Sequence, residues 1–188
     1  MTNNDYSITI IIPTFNEVKN IEKVITKVRE VLKKEDFRIL FVDDNSKDGT
    51  INRINEFKKR YDNIDLIVRV GRRGLSGACI EGIQKAKSTY FVVIDCDLQH
   101  DEKLLVKMLK AFNENESLDL VVGSRHVNNG NSNKGLSYIR NLGSRYAIKL
   151  TQKLLKIEIN DPMSGFFMAK KSSILSILNK LQPNGFKI

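Results

Sequence analysis

Tryptophan is absent from this chain, and cysteine and histidine occur only twice each among its 188 residues. Two cysteines cannot staple a disulfide scaffold. Cys79 and Cys96 both fall in stretches that read as core or site, so the sequence predicts a reduced, cytoplasmic protein with no disulfide. No apolar run approaches the ~20 residues a membrane-crossing helix requires. The opening residues, Met1 to Asp5, have neither the basic nor the apolar region of a secretory signal, so none is expected. His126 is the sole companion of His100. With no evident histidine relay, His100 reads as a structural neighbour of a site more than as a general base. There is no internal repeat and no low-complexity tail.

What is present describes a globular chain of one domain. Hydrophobic residues make up 41% and charged residues 28% of the sequence, and the length suffices for a real core. The net charge of +9 is unevenly spread: residues 1–122 carry 20 basic and 20 acidic side chains, whereas 11 basic residues after Val122 face only Glu158 and Asp161. A basic final third suggests an anionic partner: nucleic acid, phosphate groups or a lipid surface. Nucleic acid is disfavoured, because the aromatic interleaving of a single-strand platform is missing. Arg145, Lys149, Lys153 and Lys156 recur at roughly helical spacing. They form either a solvated helix face or a contact with anionic lipid, which at about 1 kcal/mol per basic residue gives weak, peripheral attachment.

Taken in order, the chain alternates strands and helices. Ser7–Ile12 reads as a strand ended by Pro13, followed by a helix from about Val18 to Lys33. A second strand spans Arg38–Val42, with Ser46 or Asp48 as candidate caps of a helix over Thr50–Tyr61. Strand Asp65–Val70, loop Gly71–Gly74 and helix Leu75–Ala86 follow. Next come the strand opening at Tyr90, a helix over Glu102–Phe112 and strand Leu118–Gly123. An Asn- and Gly-rich loop over Val127–Gly135 leads to a long helix, Leu136–Ile157. A turn at Asp161–Gly165, strand Phe166–Ala169 and helix Ser172–Leu181 complete the series. Such alternation predicts an α/β fold with a mostly parallel sheet and helices on both faces.

The stretch Tyr90 to His100 concentrates the chemistry. An uninterrupted apolar run, suited to a strand buried on both faces, ends in Asp95-Cys96-Asp97-Leu98-Gln99. The two acids either cap the following helix or, with the Gln99 amide, offer hard oxygen ligands to Mg²⁺ or Mn²⁺. In an open α/β sheet, ligands bind beyond the carboxyl ends of the strands. Other strand ends there also carry charge: Glu17, Asp43 with Asp44, and Arg125.

These motifs, in this order, resemble the GT-A (Rossmann-like) inverting family 2 glycosyltransferases, and within them the dolichol-phosphate mannosyltransferases. The resemblance is carried by Pro13-Thr14-Phe15-Asn16-Glu17, Val42-Asp43-Asp44-Asn45-Ser46 and Asp95-Cys96-Asp97-Leu98-Gln99-His100. Gly123-Ser124-Arg125, Ile139-Arg140-Asn141 and Asp161-Pro162-Met163-Ser164-Gly165-Phe166-Phe167 follow. It covers essentially the whole chain. It implies transfer of a hexose, mannose from GDP-mannose, to a polyprenyl or dolichyl phosphate; a glucosyl or N-acetylglucosaminyl transferase using a UDP-sugar is the alternative.

By that resemblance Pro13, Phe15, Glu17, Val42 and Asp44 hold the base and ribose, Cys96 lies in the same nucleotide-sugar site, and Lys187 lies near the phosphates. Asp95, Asp97 and Gln99 carry the metal. Arg125, Arg140 and Ser144 bind the acceptor phosphate, with Asp95, Asp97 and Arg125 as the catalytic set. Phe15 stands where Tyr is common in the family, and Cys96 where Ala is usual. The Asp161–Gly165 segment, in a chain without Trp, replaces the acid pair and Gln-x-x-Arg-Trp signature of members that deprotonate a sugar hydroxyl. An acceptor phosphate needs no such base. Relatives continue beyond the equivalent of Ile188, so the chain is expected to be one catalytic domain lacking a closing segment, peripheral at the cytoplasmic face of a membrane.

Overall fold

A computed structural model describes residues 7–97, 101–123 and 164–181. The strands are β1 (Ile8–Thr14), β2 (Phe37–Asp43), β3 (Ile64–Val68), β4 (Tyr90–Val93), β5 (Leu120–Val122) and β6 (Phe167–Lys170). The helices are α1 (Val18–Val31), α2 (Thr50–Lys58), α3 (Leu75–Lys85), α4 (Leu104–Glu114) and the short α5 (Lys171–Leu175), followed by a 3-10 turn at Leu178–Lys180. The strands form one sheet in the order β3-β2-β1-β4-β6-β5. Strands β1 to β4 are parallel, and β6 runs antiparallel to both β4 and β5.

The alternation of side chains along each strand divides the core into two layers. Ile8, Ile10 and Ile12 of β1, with Ile39, Phe41, Val92 and Met168, pack beneath α1, α2 and α4. Ile11, Leu40, Val42, Phe91, Val93 and Ala169 pack beneath α3 and the 3-10 turn. Every residue of β1 is buried, as a central strand covered on both faces requires. On the second face α3 lies close to the sheet at Gly82. A Cβ there would come within 2.4 Å of Ile11 Cγ2 and 3.2 Å of Val42 Cγ2, so only glycine fits that approach.

Some expected boundaries shift. The ladder of β1 runs through Pro13 to Thr14, pairing Pro13 with Val42 and Thr14 with Asp43. Proline is tolerated because the β4 ladder has stopped at Ile11 opposite Val93, leaving a strand neighbour on one side alone. Strand β3 stops at Val68, two residues early, where Arg69 turns inward and the chain bends to Gly71 at φ 71°. The expected helix over Ser172–Leu181 breaks in two: Ser176 Oγ donates 3.1 Å to the Ser173 carbonyl, and Ser173 Oγ to Asp119, local bonds that compete with helical ones. The cap position of α2 is Gly49 rather than Ser46 or Asp48, yet Asp48 Oδ1 accepts 3.0 Å from the first helical amide, Thr50 N. The loop Val127–Gly135 and the helix Leu136–Ile157 lie outside the described residues.

Candidate active site at the strand ends

The sheet order places a topological switch between β1 and β4. The chain leaves β1 for β2 and β3 on one side, then returns to β4 on the other. In open α/β sheets this is where ligands bind. The carboxyl ends of β1, β2 and β4 therefore share one edge, bringing together Glu17, Asp43, Asp44, Asp95 and Asp97.

Asp43 is the internal brace. It is fully buried; its Oδ2 accepts 2.7 Å hydrogen bonds from Thr14 Oγ1 and Ser46 Oγ, and its Oδ1 accepts one of 2.7 Å from Ser46 N. Ser46 Oγ in turn accepts 2.8 Å from Asn16 N. Both loops turn through left-handed asparagines, Asn16 at φ 57° and Asn45 at φ 59°, a conformation asparagine tolerates better than most residues. Glu17 N donates 2.8 Å to Thr50 Oγ1, and the Glu17 carboxylate accepts 2.7 Å from Asn20 Nδ2. Asp48 accepts from Val18 N and from both the amide and hydroxyl of Thr50. Burial opposes ionisation of Asp48, but these hydrogen bonds prevail and lower its pKa. The α1 and α2 entrances are thus held as one unit.

Asp44 meets a residue that sequence reading passed over. Arg69 Nη1 donates 2.5 Å to Asp44 Oδ1 and 3.0 Å to the Gly74 carbonyl, while Gly74 N donates 2.7 Å to Asp44 Oδ2. Arg69 Nε lies 3.3 Å from Glu81, which also pairs with Arg72 at 2.9 Å. A lone arginine at the end of an apolar strand was the available signal, since arginine is rarely buried without a partner. Arg73 was likewise read as loop; its guanidinium lies 3.8 Å from the centroid of Phe15, a cation–π contact at the mouth of the edge.

The acids that follow β4 act on two buried thiols. Burial first, then Asp95, raises Cys79 from its ordinary 9.0 to about 12, with Arg69 acting against it and Asp44 adding to it. Cys96 also rises to about 12, through burial first and then Glu17, Asp97 and Asp95. These influences include Asp95 at both thiols. They also keep both thiols protonated at neutral pH, which excludes them as nucleophiles. Gly165 passes beside the Asp95 carboxylate, where a Cβ would stand 3.5 Å from Oδ2. Ser164 Oγ secures that passage by donating 2.7 Å to the Gly123 carbonyl.

Of the sequence-derived nucleotide set, the structure gathers Glu17, Asp44, Asp95, Cys96 and Asp97. Phe15 is exposed beside them. Pro13 and Val42 are buried, and the Val42 side chain packs beneath α3, so at Val42 only the main chain is left to meet a ligand. Gln99, His100, Arg125, Arg140, Ser144 and Lys187 lie outside the described residues. Among the described residues no group of three or more His, Cys, Asp or Glu is placed to hold a metal ion. Asp95 and Asp97 are two carboxylates at one strand end, one half-buried and one exposed, with glycine against the first. That donor set fits a hard cation that completes its shell with ligand phosphates. Among the described residues no helix is long and apolar enough to cross a membrane.

A six-stranded, mostly parallel sheet with carboxylates at the switch-point edge is the architecture of GT-A glycosyltransferases. Solved structures share it: glucosyl-3-phosphoglycerate synthase from Mycobacterium tuberculosis, in complex with Mn²⁺, UDP-glucose and phosphoglyceric acid, superposes with a TM-score of 0.68 at 21% identity over 91% of this chain and 59% of its own. A mannosyltransferase from Pyrobaculum calidifontis, in complex with GDP-Man and Mn²⁺, gives a TM-score of 0.63 at 16% identity, covering 93% of this chain and 47% of its own.

The chain belongs to glycosyl transferase family 2, whose pattern matches residues 9–178. Dolichol-phosphate mannosyltransferase from Pyrococcus furiosus is 36% identical over 183 residues, covering 96% of this chain and 50% of the relative. The protein of that name from Saccharomyces cerevisiae is 30% identical over 96% of this chain and 67% of its own length. The chain spans about half to two thirds of the length of these curated relatives.

Proposed function

We propose that this chain is the catalytic domain of a metal-dependent, inverting hexosyltransferase that moves mannose from GDP-mannose to a polyprenyl or dolichyl phosphate. One observation carries the reading. Glu17, Asp44, Asp95 and Asp97 converge on the switch-point edge of a chain 36% identical, over 96% of its length, to a dolichol-phosphate mannosyltransferase.

Asp95 and Asp97, with Gln99, are the residues to hold Mg²⁺ or Mn²⁺. Such an ion, when bound, acts as a Lewis acid on the charge that grows on a departing diphosphate. Pro13, Phe15, Glu17, the Val42 main chain, Asp44 and Cys96 form the nucleotide side, with Lys187 toward the phosphates. Arg125, Arg140 and Ser144 grip the acceptor phosphate. That phosphate is anionic at neutral pH, so it attacks the anomeric carbon without a general base, and the described edge presents no histidine to serve as one. Two anions must approach each other, and arginines offset their repulsion while fixing the phosphate through paired hydrogen bonds. The basic excess after Val122 suits a peripheral position on the cytoplasmic face of a membrane, where the lipid acceptor is anchored.

The test is transfer of label from radiolabelled GDP-mannose to a short polyprenyl phosphate with Mg²⁺ or Mn²⁺ present, run beside UDP-glucose and UDP-N-acetylglucosamine. Label entering the organic phase from GDP-mannose alone is the expected result. Transfer from a UDP-sugar instead replaces the donor assignment, and binding of no nucleotide sugar refutes the reading.

A further inference from the structure

We propose that Arg69 is a positioning residue that holds the Asp44 carboxylate in the orientation that selects the nucleobase of the donor. The proposal rests on the reading of Asp44 as part of the nucleotide site.

The pair is buried, with 6% of the Arg69 side chain and 7% of the Asp44 side chain exposed. Asp44 is clamped from two directions, by Arg69 Nη1 at 2.5 Å on Oδ1 and by Gly74 N at 2.7 Å on Oδ2. The same Nη1 also reaches the Gly74 carbonyl at 3.0 Å. Arg69, Asp44 and Gly74 therefore form a closed ring of hydrogen bonds that fixes the carboxylate plane and anchors the first turn of α3, where Gly74 at φ 137° takes a conformation that suits glycine.

A ring serving the fold alone would be an inefficient solution. A buried ion pair seldom improves on well-packed apolar side chains, and this one leaves Arg69 Nε buried with no hydrogen-bond partner among the described residues. Its nearest acid, Glu81 at 3.3 Å, is held by the exposed Arg72. What the ring does achieve is orientation. A carboxylate oxygen accepts two hydrogen bonds, and the clamp accounts for one on each oxygen of Asp44. The remaining acceptor capacity is thereby aimed in fixed directions. Guanine offers a ring N–H beside an amino group, which match two carboxylate oxygens together. Uracil offers one ring N–H, and adenine none on its pairing edge. A fixed carboxylate ranks these bases; a swivelling one ranks them less.

The test is calorimetric titration of GDP, UDP and ADP, each with Mn²⁺, into the 188-residue chain and four variants, Asp44→Asn among them, with thermal unfolding recorded for each. Arg69→Lys keeps the charge and loses the fork. Arg69→Met removes the clamp, and Arg69→Met with Asp44→Asn removes it without leaving a buried charge unpaired. The expected result is GDP bound in preference to ADP by the natural chain. Arg69→Lys should unfold at nearly the natural temperature yet bind GDP about 10-fold more weakly, the scale on which outer partners of ligand-holding groups act, with ADP little changed. The double variant should bind GDP no more weakly than Asp44→Asn alone, because Arg69 acts through Asp44. A folded Arg69→Lys with natural GDP affinity overturns the proposal, as does a loss shared equally by GDP and ADP. A natural chain that binds the nucleotides without preference overturns it too, while leaving the transferase reading standing. A natural chain that binds no nucleotide overturns both.

Discussion

Replacing Asp43 in two ways tests whether this buried carboxylate braces the site edge. Asp43→Ala strips the acceptor from three donors at once: Thr14 Oγ1, Ser46 Oγ and Ser46 N, each at 2.7 Å. Thr14 and Ser46 are themselves only 4% and 6% exposed, so water does not readily replace the lost partner. Hydrogen bonds to a charged group contribute about 1.5–3 kcal/mol each, but the two hydroxyls can rotate toward other acceptors. The expected net loss is about 3–4 kcal/mol, near the cost of breaking a buried charged network. Asp43→Asn keeps an oxygen for Ser46 N and turns an amide toward hydroxyls that also accept, so its cost should be about 1 kcal/mol. At roughly 2–4 °C per kcal/mol for a chain of this size, thermal unfolding should separate the variants by several degrees. Urea titration should show the same ranking with an unchanged slope. Equal destabilisation by Asn and Ala, or an Ala variant within about 0.5 kcal/mol of the natural chain, would refute the brace.

Three further outcomes are expected. Gly82→Ala should destabilise by about 1–2 kcal/mol in the same titration: overpacking against Ile11 and Val42 costs about 1–3 kcal/mol and the gain in helix propensity returns up to about 1. A more stable variant would show that α3 can lift off the sheet. Asp97→Ala should abolish metal-dependent nucleotide binding in calorimetry while leaving the unfolding temperature within about 2 °C, because Asp97 is exposed; retained binding that chelation of the metal removes would assign the ion elsewhere. Cys79 and Cys96, raised to about 12 in the fold from 9.0, should resist iodoacetamide at pH 8 until denatured. Being neutral when protonated, they favour the fold fully below pH 9, and that contribution is lost as pH rises through 9 toward 12. Rapid native alkylation of either would contradict their burial.

The strands with unbroken apolar runs were legible because residues buried on both faces leave no other pattern. Ser7–Ile12, Arg38–Val42 and the run from Tyr90 were placed to within two residues of their ladders. The acids at their ends were legible for the same reason, since a charge directly after such a run has to emerge at the sheet's edge. Arg69 was not, because its burial depends on Asp44 and Gly74, partners distant in sequence or across a turn. The antiparallel place of β6 between β4 and β5 was also hidden, since short apolar strands carry no mark of direction. Phe15 and Arg73 were each visible, but their stacking is a tertiary fact. The split of the last helix turns on the Ser173 and Ser176 hydroxyls, whose local bonds are weak sequence signals.

Where the sheet hands the chain over at Gly123 and takes it back at Ser164 has an evolutionary corollary. The Ser164 hydroxyl bonds the Gly123 carbonyl at 2.7 Å, and Gly123 N bonds the Phe166 carbonyl at 2.8 Å, so departure and return are one doorway. Whatever lies between can lengthen or be exchanged at small entropic cost, because closing a loop whose ends already touch depends only weakly on its length. The first 97 residues supply every described acid of the edge and need no revision when that cassette changes. Under the proposed function, exchanging this segment, which carries Arg125, Arg140 and Ser144, alters the acceptor side while Glu17, Asp44, Asp95 and Asp97 keep their places.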